Sequence, residues 1–516
     1  MNETARDTAN NRGGDRASLQ GVCRLFDPDL LQSCSLVILG ASGDLTARKL
    51  IPALFHLFLQ QALPDPFLIV GCGRSDLSRE DFCRQLRIFA SEQVFYTVQA
   101  WDSFCRILHY QRLDYEKPED WKALKWWLDE QRCAAGIGEN HLFYLALPPS
   151  QHAEVSRQLK EVGLSSEQPG RFWTRLVVEK PFGHDLASAV ALDEQLHRSF
   201  QEHQIFRIDH YLAKETVQNI LMMRFANAIF EPVWNRSHID YVGIIAMEDL
   251  GVEHRSGYYE QAGVLRDMFQ NHMMQMLSLV AMEPPSRFEP DRVQDEKAKL
   301  FRSLRPFNPK TATQNLILGQ YTAATVGGRG VVGYREEPGV HAESCVATYA
   351  LMRLFVDNWR WSGVPFYLLS GKRLARKETK IVIQFKDVPH SMFRHLVDEA
   401  VPANRLELGI YPEERIALRI ETKSPGGAVC LQPADLTFDY GDRWQGMRLD
   451  AYEKVLLDCL QGERMMFWRQ DGVELSWQYL QPVLGRCGEQ AVYPYPAGSL
   501  GPEQGRDWTR QILELY

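Results

Sequence analysis

Residues suited to proton chemistry sit in two short stretches, "RIDHYLAKE" from Arg207 to Glu215 and "RDMFQNHMMQ" from Arg266 to Gln275. The first offers His210, Tyr211 and Lys214 as donors within a few positions, beside the acid Asp209. Lys, His and Tyr converging on one point suit a phosphate monoester. If the stretch turns helical after Asp209, His210 and Lys214 become i,i+4 neighbours on one face. The same charges equally fit a salt-bridged helix start. The second stretch sets His272 in an apolar run. A lone His in a core helix is more often structural. It becomes a general base only with an acid to orient its ring and a substrate proton to take. Asp209 is the candidate acid. Asp267 lies five residues before His272, about 140° round an α-helix, where it can flank a ligand but should not touch the imidazole.

A further candidate is the turn in "LVILGASGDLTARKL", where Gly40 directly follows an apolar run and a helical pattern follows the turn. Glycines there let backbone N–H groups approach a phosphate, and a helix N-terminus adds partial positive charge. The turn lacks the full G-x-G-x-x-G spacing and also fits a plain strand–helix turn with Asp44 as a cap. The next strand ends in Arg74, where an NAD site would carry an acid; a guanidinium fork suits a 2′-phosphate, with Arg48 and Lys49 as possible helpers. NADP is therefore expected over NAD. In "VVEKPFG", Pro181 biases Lys180 towards an extended backbone at the end of a strand, over the edge where open α/β sheets bind ligands.

The elements that position these residues divide the chain. "SLVILG", "FLIVGCG", "HLFYLALPP" and "RLVVEKPFG" are apolar strands separated by helical patterns, which predicts a parallel sheet covered on both faces. "TKIVIQF" and "RIALRIET" alternate with period two, as in an antiparallel sheet with one wetter face. Between them, residues 263–282 read as one buried helix. The expected fold is α/β followed by α+β. A disordered tail spans 1–30, a Rossmann-like dinucleotide-binding domain 31–208, and a larger substrate-binding and dimerisation domain 209–516, built on a mainly antiparallel sheet with helices. A junction near 208 is where ligand clefts tend to form.

Bulk properties exclude some functions. The chain has 516 residues and a net charge of −8, spread without basic blocks, so nucleic-acid and membrane-surface binding are not expected. The ten cysteines form no C-x-x-C, so no metal site is expected and a reducing compartment is. No apolar run is long enough to span a bilayer and the first residues form no signal peptide, which makes cytoplasm the default.

With "GASGDLT", "EKPFG", "RIDHYLAKE" and "RDMFQNHMMQ" in this order, the chain resembles the glucose-6-phosphate dehydrogenase family. The likeness runs from about Ser35 through "NWRWSGVPFYLLSGK" to "YPAGS". It implies oxidation of glucose 6-phosphate at C1, hydride transfer to NADP, and 6-phosphogluconolactone as product, the first step of the oxidative pentose phosphate pathway. It also implies a homodimer or homotetramer. By resemblance, Gly40, Ala41, Ser42, Gly43, Asp44, Leu45, Thr46 and Ala47 form the coenzyme loop. Arg74 meets the 2′-phosphate, and Tyr144 and Lys180 also line the coenzyme site. His210, Tyr211 and Lys214 clamp the sugar phosphate, with Lys180, Glu248, Asp267, Lys372 and Lys377 around the rest of the substrate. His272 is the base and Asp209 its partner. Ala213 and Thr216 depart from the family pattern at positions expected to be tolerant. Animal members carry a second, structural NADP; here Glu378 and Gly409 stand where two of its cations belong, so that site is expected to be absent even with Arg373 and Arg376 nearby. The rival readings are a related NAD(P)-dependent sugar dehydrogenase and a sugar-phosphate sensor without turnover. The first has no need of the clamp, and the second has no use for a base.

Overall fold

The computed structural model describes residues 31–308, 314–393, 401–426, 430–443, 449–484 and 491–514. The tail expected over 1–30 lies outside them. Six parallel strands form the first sheet: β1 Cys34–Leu39, β2 Phe67–Gly73, β3 Leu108–Arg112, β4 His141–Leu145, β5 Thr174–Val178 and β6 Ile205–Arg207. Their order is β3-β2-β1-β4-β5-β6. β1, β2 and β4 are buried at every position, as their continuous apolar runs require when helices cover both faces. The order reverses between β1 and β4, which opens a crevice at the carboxyl ends of these two strands.

The remaining strands are β7 Ile239–Met247, β8 Leu316–Thr322, β9 Ala324–Val326, β10 Arg329–Val331, β11 Tyr349–Phe355, β12 Pro365–Gly371, β13 Glu378–Phe385, β14 Arg405–Tyr411, β15 Arg415–Lys423, β16 Leu431–Asp439 and β17 Val492–Pro496. β9 and β10 make a small hairpin, and the other nine form one sheet ordered β16-β15-β14-β13-β7-β12-β11-β8-β17. It is antiparallel except for β7 with β12 and β8 with β17. The parallel β7–β12 pair matters for the site, because Glu248 and Lys372 leave the sheet side by side, just past the Met247–Gly371 register.

β6 ends at Arg207, beside the expected division at 208. Core packing is continuous across that point. Helix Ala451–Gln461 returns to pack on Ile51–Leu59, and Val455, Leu456 and Cys459 share a core with Ile51 and Leu54. Glu453 seals the return with a 2.7 Å contact to His56 Nδ1.

Candidate active site

The long helical stretch predicted over 263–282 forms, but not as a uniform α-helix. Gly263 breaks its start with φ +59°, Leu265–Met273 is π-helical, and Met274–Ala281 is α-helical. A π-helix bonds i to i+5, so residues five apart come nearer to one face than they do in an α-helix. This corrects the expectation that Asp267 stands round the axis from His272. Both side chains are buried and both meet the same ammonium. Lys180 Nζ lies 2.9 Å from His272 Nε2 and 3.4 Å from Asp267 Oδ1. Tyr258, not singled out in the sequence, donates its hydroxyl to the same Asp267 oxygen at 3.2 Å.

On the other side of the imidazole, His272 Nδ1 lies 2.6 Å from Asp209 Oδ1, across sixty-three residues of sequence. Asp209 is fully enclosed, which by itself would raise its pKa. The His272 imidazole and the Tyr211 backbone N–H, 2.9 Å from the same oxygen, more than offset this and hold it at about 2. An ionised carboxylate only accepts, so Nδ1 carries the proton and Nε2 presents its lone pair. Burial pushes the His272 pKa below its ordinary value. Asp209 opposes that and Lys180 reinforces it, so the neutral ring prevails at neutral pH. Tyr211 stacks on the imidazole with centroids 4.3 Å apart, which fixes the ring plane.

Residues 209–214 are a run of turns rather than a helix. Leu212 N donates to Asp209 O and Lys214 N to Tyr211 O, and the helix begins only at Glu215. The expected single face for His210 and Lys214 is thereby lost. His210 Nε2 instead lies 3.2 Å from Glu179 and 3.3 Å from the Tyr452 hydroxyl. Lys214 Nζ sits 4.6 Å above the Tyr211 ring, and Lys214 and Lys377 both face Tyr411, at 5.9 and 4.5 Å from its centroid. Burial, then the neighbouring Lys377, lowers the Lys214 pKa. Two ammonium groups held this close favour a dianion between them. Across the site Lys372 pairs tightly with Glu248 and lies 5.3 Å from the Tyr259 ring.

The crevice at β1 fits a dinucleotide. Gly40 has φ +96°, and a Cβ there would stand 2.2 Å from the Ala146 carbonyl oxygen, so only glycine lets β1 turn against the exit of β4. Ser42, Asp44, Arg48, Lys49 and Arg74 are exposed around the turn, whereas Ala41 and Thr46 are buried and offer a ligand their backbones only. Asp44 makes no cap; its carboxylate accepts from Arg48 Nε at 2.5 Å, a contact any phosphate calling on Arg48 must share. Tyr144 stands next to the last residue of β4, at the crevice. It is fully buried, and its hydroxyl donates to Glu179 Oε1, so it supports the crevice from beneath. Glu179 thus joins Tyr144 to His210. The sequence hint was its place directly before Lys180.

Among the described residues, Asp193, His197 and Glu202 alone have metal-ligand spacing. Arg207 hydrogen-bonds both carboxylates and takes a cation's place there. No helix among the described residues is long and apolar enough to cross a membrane.

Known proteins share this chain's sequence and fold along most of its length. A family model described as "Glucose-6-phosphate dehydrogenase, NAD binding domain" matches residues 37–219, and one described as "Glucose-6-phosphate dehydrogenase, C-terminal domain" matches 221–513. The chain is 43% identical over 488 residues to a glucose-6-phosphate 1-dehydrogenase of Aggregatibacter actinomycetemcomitans, covering 93% of this chain and 98% of that one. It is 39% identical to the Bacillus subtilis (strain 168) protein of the same name, with 92% and 96% covered. A solved structure titled as glucose-6-phosphate dehydrogenase in complex with its substrate glucose-6-phosphate superposes with a TM-score of 0.86 at 34% identity, covering 94% of this chain and 98% of that one. The glucose-6-phosphate 1-dehydrogenase of Mycobacterium avium superposes with a TM-score of 0.79 at 31% identity, covering 93% and 96%.

Proposed function

The chain belongs to the glucose-6-phosphate dehydrogenase family, and from that premise we propose that it oxidises glucose 6-phosphate at C1 with NADP, giving 6-phosphogluconolactone. The observation that carries this reading is the His272 imidazole, held by Asp209 at 2.6 Å with its Nε2 lone pair turned to the cleft where Lys180 and Asp267 meet.

In this reading Lys214 and Lys377 receive the phosphate, and Tyr211 closes the wall between phosphate and base. Glu248 and Asp267 accept from sugar hydroxyls, and Lys372 and Lys180 neutralise those acids. The C1 hydroxyl takes the place beside Nε2 that Lys180 Nζ occupies at 2.9 Å. His272 removes the hydroxyl proton as the C1–H bond gives up its hydride and C1 becomes a carbonyl carbon. Asp209 keeps the ring in the right tautomer and stabilises the imidazolium that forms. The bound nicotinamide supplies the hydride-accepting ring. Gly40 to Ala47 and Arg74 hold the rest of the coenzyme, with Arg74 selecting the 2′-phosphate.

The test is an assay of the purified protein with glucose 6-phosphate and free glucose against NADP and NAD, following the absorbance of the reduced coenzyme. Turnover should need the phosphate and favour NADP. Equal rates with free glucose would remove the role given to the clamp, and no turnover with any pair would leave a binder.

A further inference from the structure

Among the buried polar atoms without a protein partner in the described residues are Asp209 Oδ2, Lys297 Nζ and Trp468 Nε1. Lys297 is 1% exposed on helix Pro290–Arg302, and a buried amine or indole N–H left without an acceptor loses its hydration with nothing in return. Such atoms call for an explanation.

The helix face that carries Lys297 is fixed by its neighbours. Gln294, three residues before it, donates to the Met465 and Phe467 carbonyls at 2.9 and 2.7 Å. Phe301, four residues after it, stacks on Trp468 with centroids 5.9 Å apart. Lys297 therefore lies between them, facing residues 465–468. Trp468 in turn is bridged to Arg207, donating its backbone N–H to the Arg207 carbonyl at 3.0 Å, and Arg207 stands two residues before Asp209. Asp209 is near enough for its charge to act on the Lys297 amine, so two donors and one carboxylate oxygen without protein partners share one neighbourhood, which is the partner set a buried water needs.

We propose that Lys297, together with the Trp468 indole, holds Asp209 Oδ2 through a buried water and so acts as a positioning residue for the Asp209–His272 pair. This rests on the reading of that pair as acid-oriented base. The charged groups that reach Lys297 are Asp209 and Arg469, the latter engaged with Asp295 and Asp471. Burial pushes the Lys297 amine down to about 7, Asp209 pulls it up, and Arg469 pushes it further down. The amine therefore changes charge in the range where the base works.

The experiment uses the full-length protein with Lys297→Met, Lys297→Gln and Trp468→Phe. Each is measured by kcat, by KM for glucose 6-phosphate, by the pH profile of kcat, and by the downfield proton resonance of His272 Nδ1–H. Lys297→Met should lower kcat roughly tenfold, the weight of one hydrogen bond to a charged group, while leaving KM near wild type. It should move the acid limb upward in pH, because losing the cation behind Asp209 strengthens the carboxylate's hold on the imidazolium. The Nδ1–H resonance should shift, and Lys297→Gln, which keeps a donor, should recover most of the rate. A Lys297→Met protein that is merely less heat-stable, with an unchanged profile and resonance, overturns the proposal. Should that variant not fold, Trp468→Phe decides alone: an unmoved resonance overturns the proposal and a shifted one supports it. The resonance can be read in a protein without turnover, so failure of the functional reading and failure of this one are distinguishable.

Discussion

His272 can act as a base only while it is neutral, and its surroundings set where that holds. Its pKa is depressed in the folded protein, by burial first, so the neutral fraction is lost only as pH falls below the ordinary histidine value of about 6.5. The acid limb of kcat should lie below that value; a limb above it would mean that Asp209 outweighs burial and Lys180. His272→Ala should cost roughly 10²–10⁴ in kcat, and Asp209→Asn a similar factor, because an amide N–H turned to Nδ1 favours the wrong tautomer. Full rate in either variant ends the mechanism. Lys214→Ala should raise KM for the sugar phosphate about tenfold or more and leave the coenzyme's KM unchanged. Equal rises in both would move the phosphate away from Lys214. The pairing of His272 with Asp209 was legible because both residue types sit in recognisable stretches. The contact of Lys180 with His272 was not, because Pro181 and the strand before it place Lys180 at a ligand edge without saying which side chain it meets there.

At the scale of elements, the apolar runs announced β1, β2 and β4, and Gly40 announced the turn after β1. Gly40→Ala tests that turn: left-handed φ alone costs about 1–3 kcal/mol, and the added Cβ would collide with the Ala146 carbonyl. The variant should melt lower and lose coenzyme affinity. If it kept both, the β1–β4 junction would not be the tight feature described. Arg74→Ala should narrow the preference for NADP over NAD; an unchanged ratio would transfer the 2′-phosphate to Arg48, which already holds Asp44. Two local features escaped the sequence reading for a shared reason. The π-helix over Leu265–Met273 and the turns over 209–214 are departures from α-geometry within otherwise helical patterns. Hydrophobic spacing averages over such departures. Both occur where the chain brings polar side chains to the ligand, and there the needs of the site override local periodicity.

The whole molecule adds what neither residues nor elements contain. Helix Ala451–Gln461 lies far along the sequence yet completes the first core, and Trp477 Nε1 reaches back to the Phe182 carbonyl at 2.9 Å, beside Lys180 and Pro181. Such returns are set by packing between distant segments, which no local pattern in the sequence contains. The same long-range view bears on how many dinucleotides one chain holds. Where β13 begins, next to Lys377, Arg376 donates to Glu378 at 2.9 Å, Lys380 lies 3.3 Å from Glu378 and 3.5 Å from Glu407, and Arg373 lies 3.7 Å from Glu337. These acids already neutralise the cations a phosphate would need, and a dinucleotide would have to displace them or meet their charge. Gly409 cannot readily be exchanged for a cation, since a Cβ there would stand 2.3 Å from the Glu413 carbonyl oxygen. Titration calorimetry should therefore count one NADP per chain, lost on Gly40→Ala and untouched by Arg376→Ala. Two equivalents per chain, the second abolished by Arg376→Ala, would show that the large sheet binds a dinucleotide in spite of its acids.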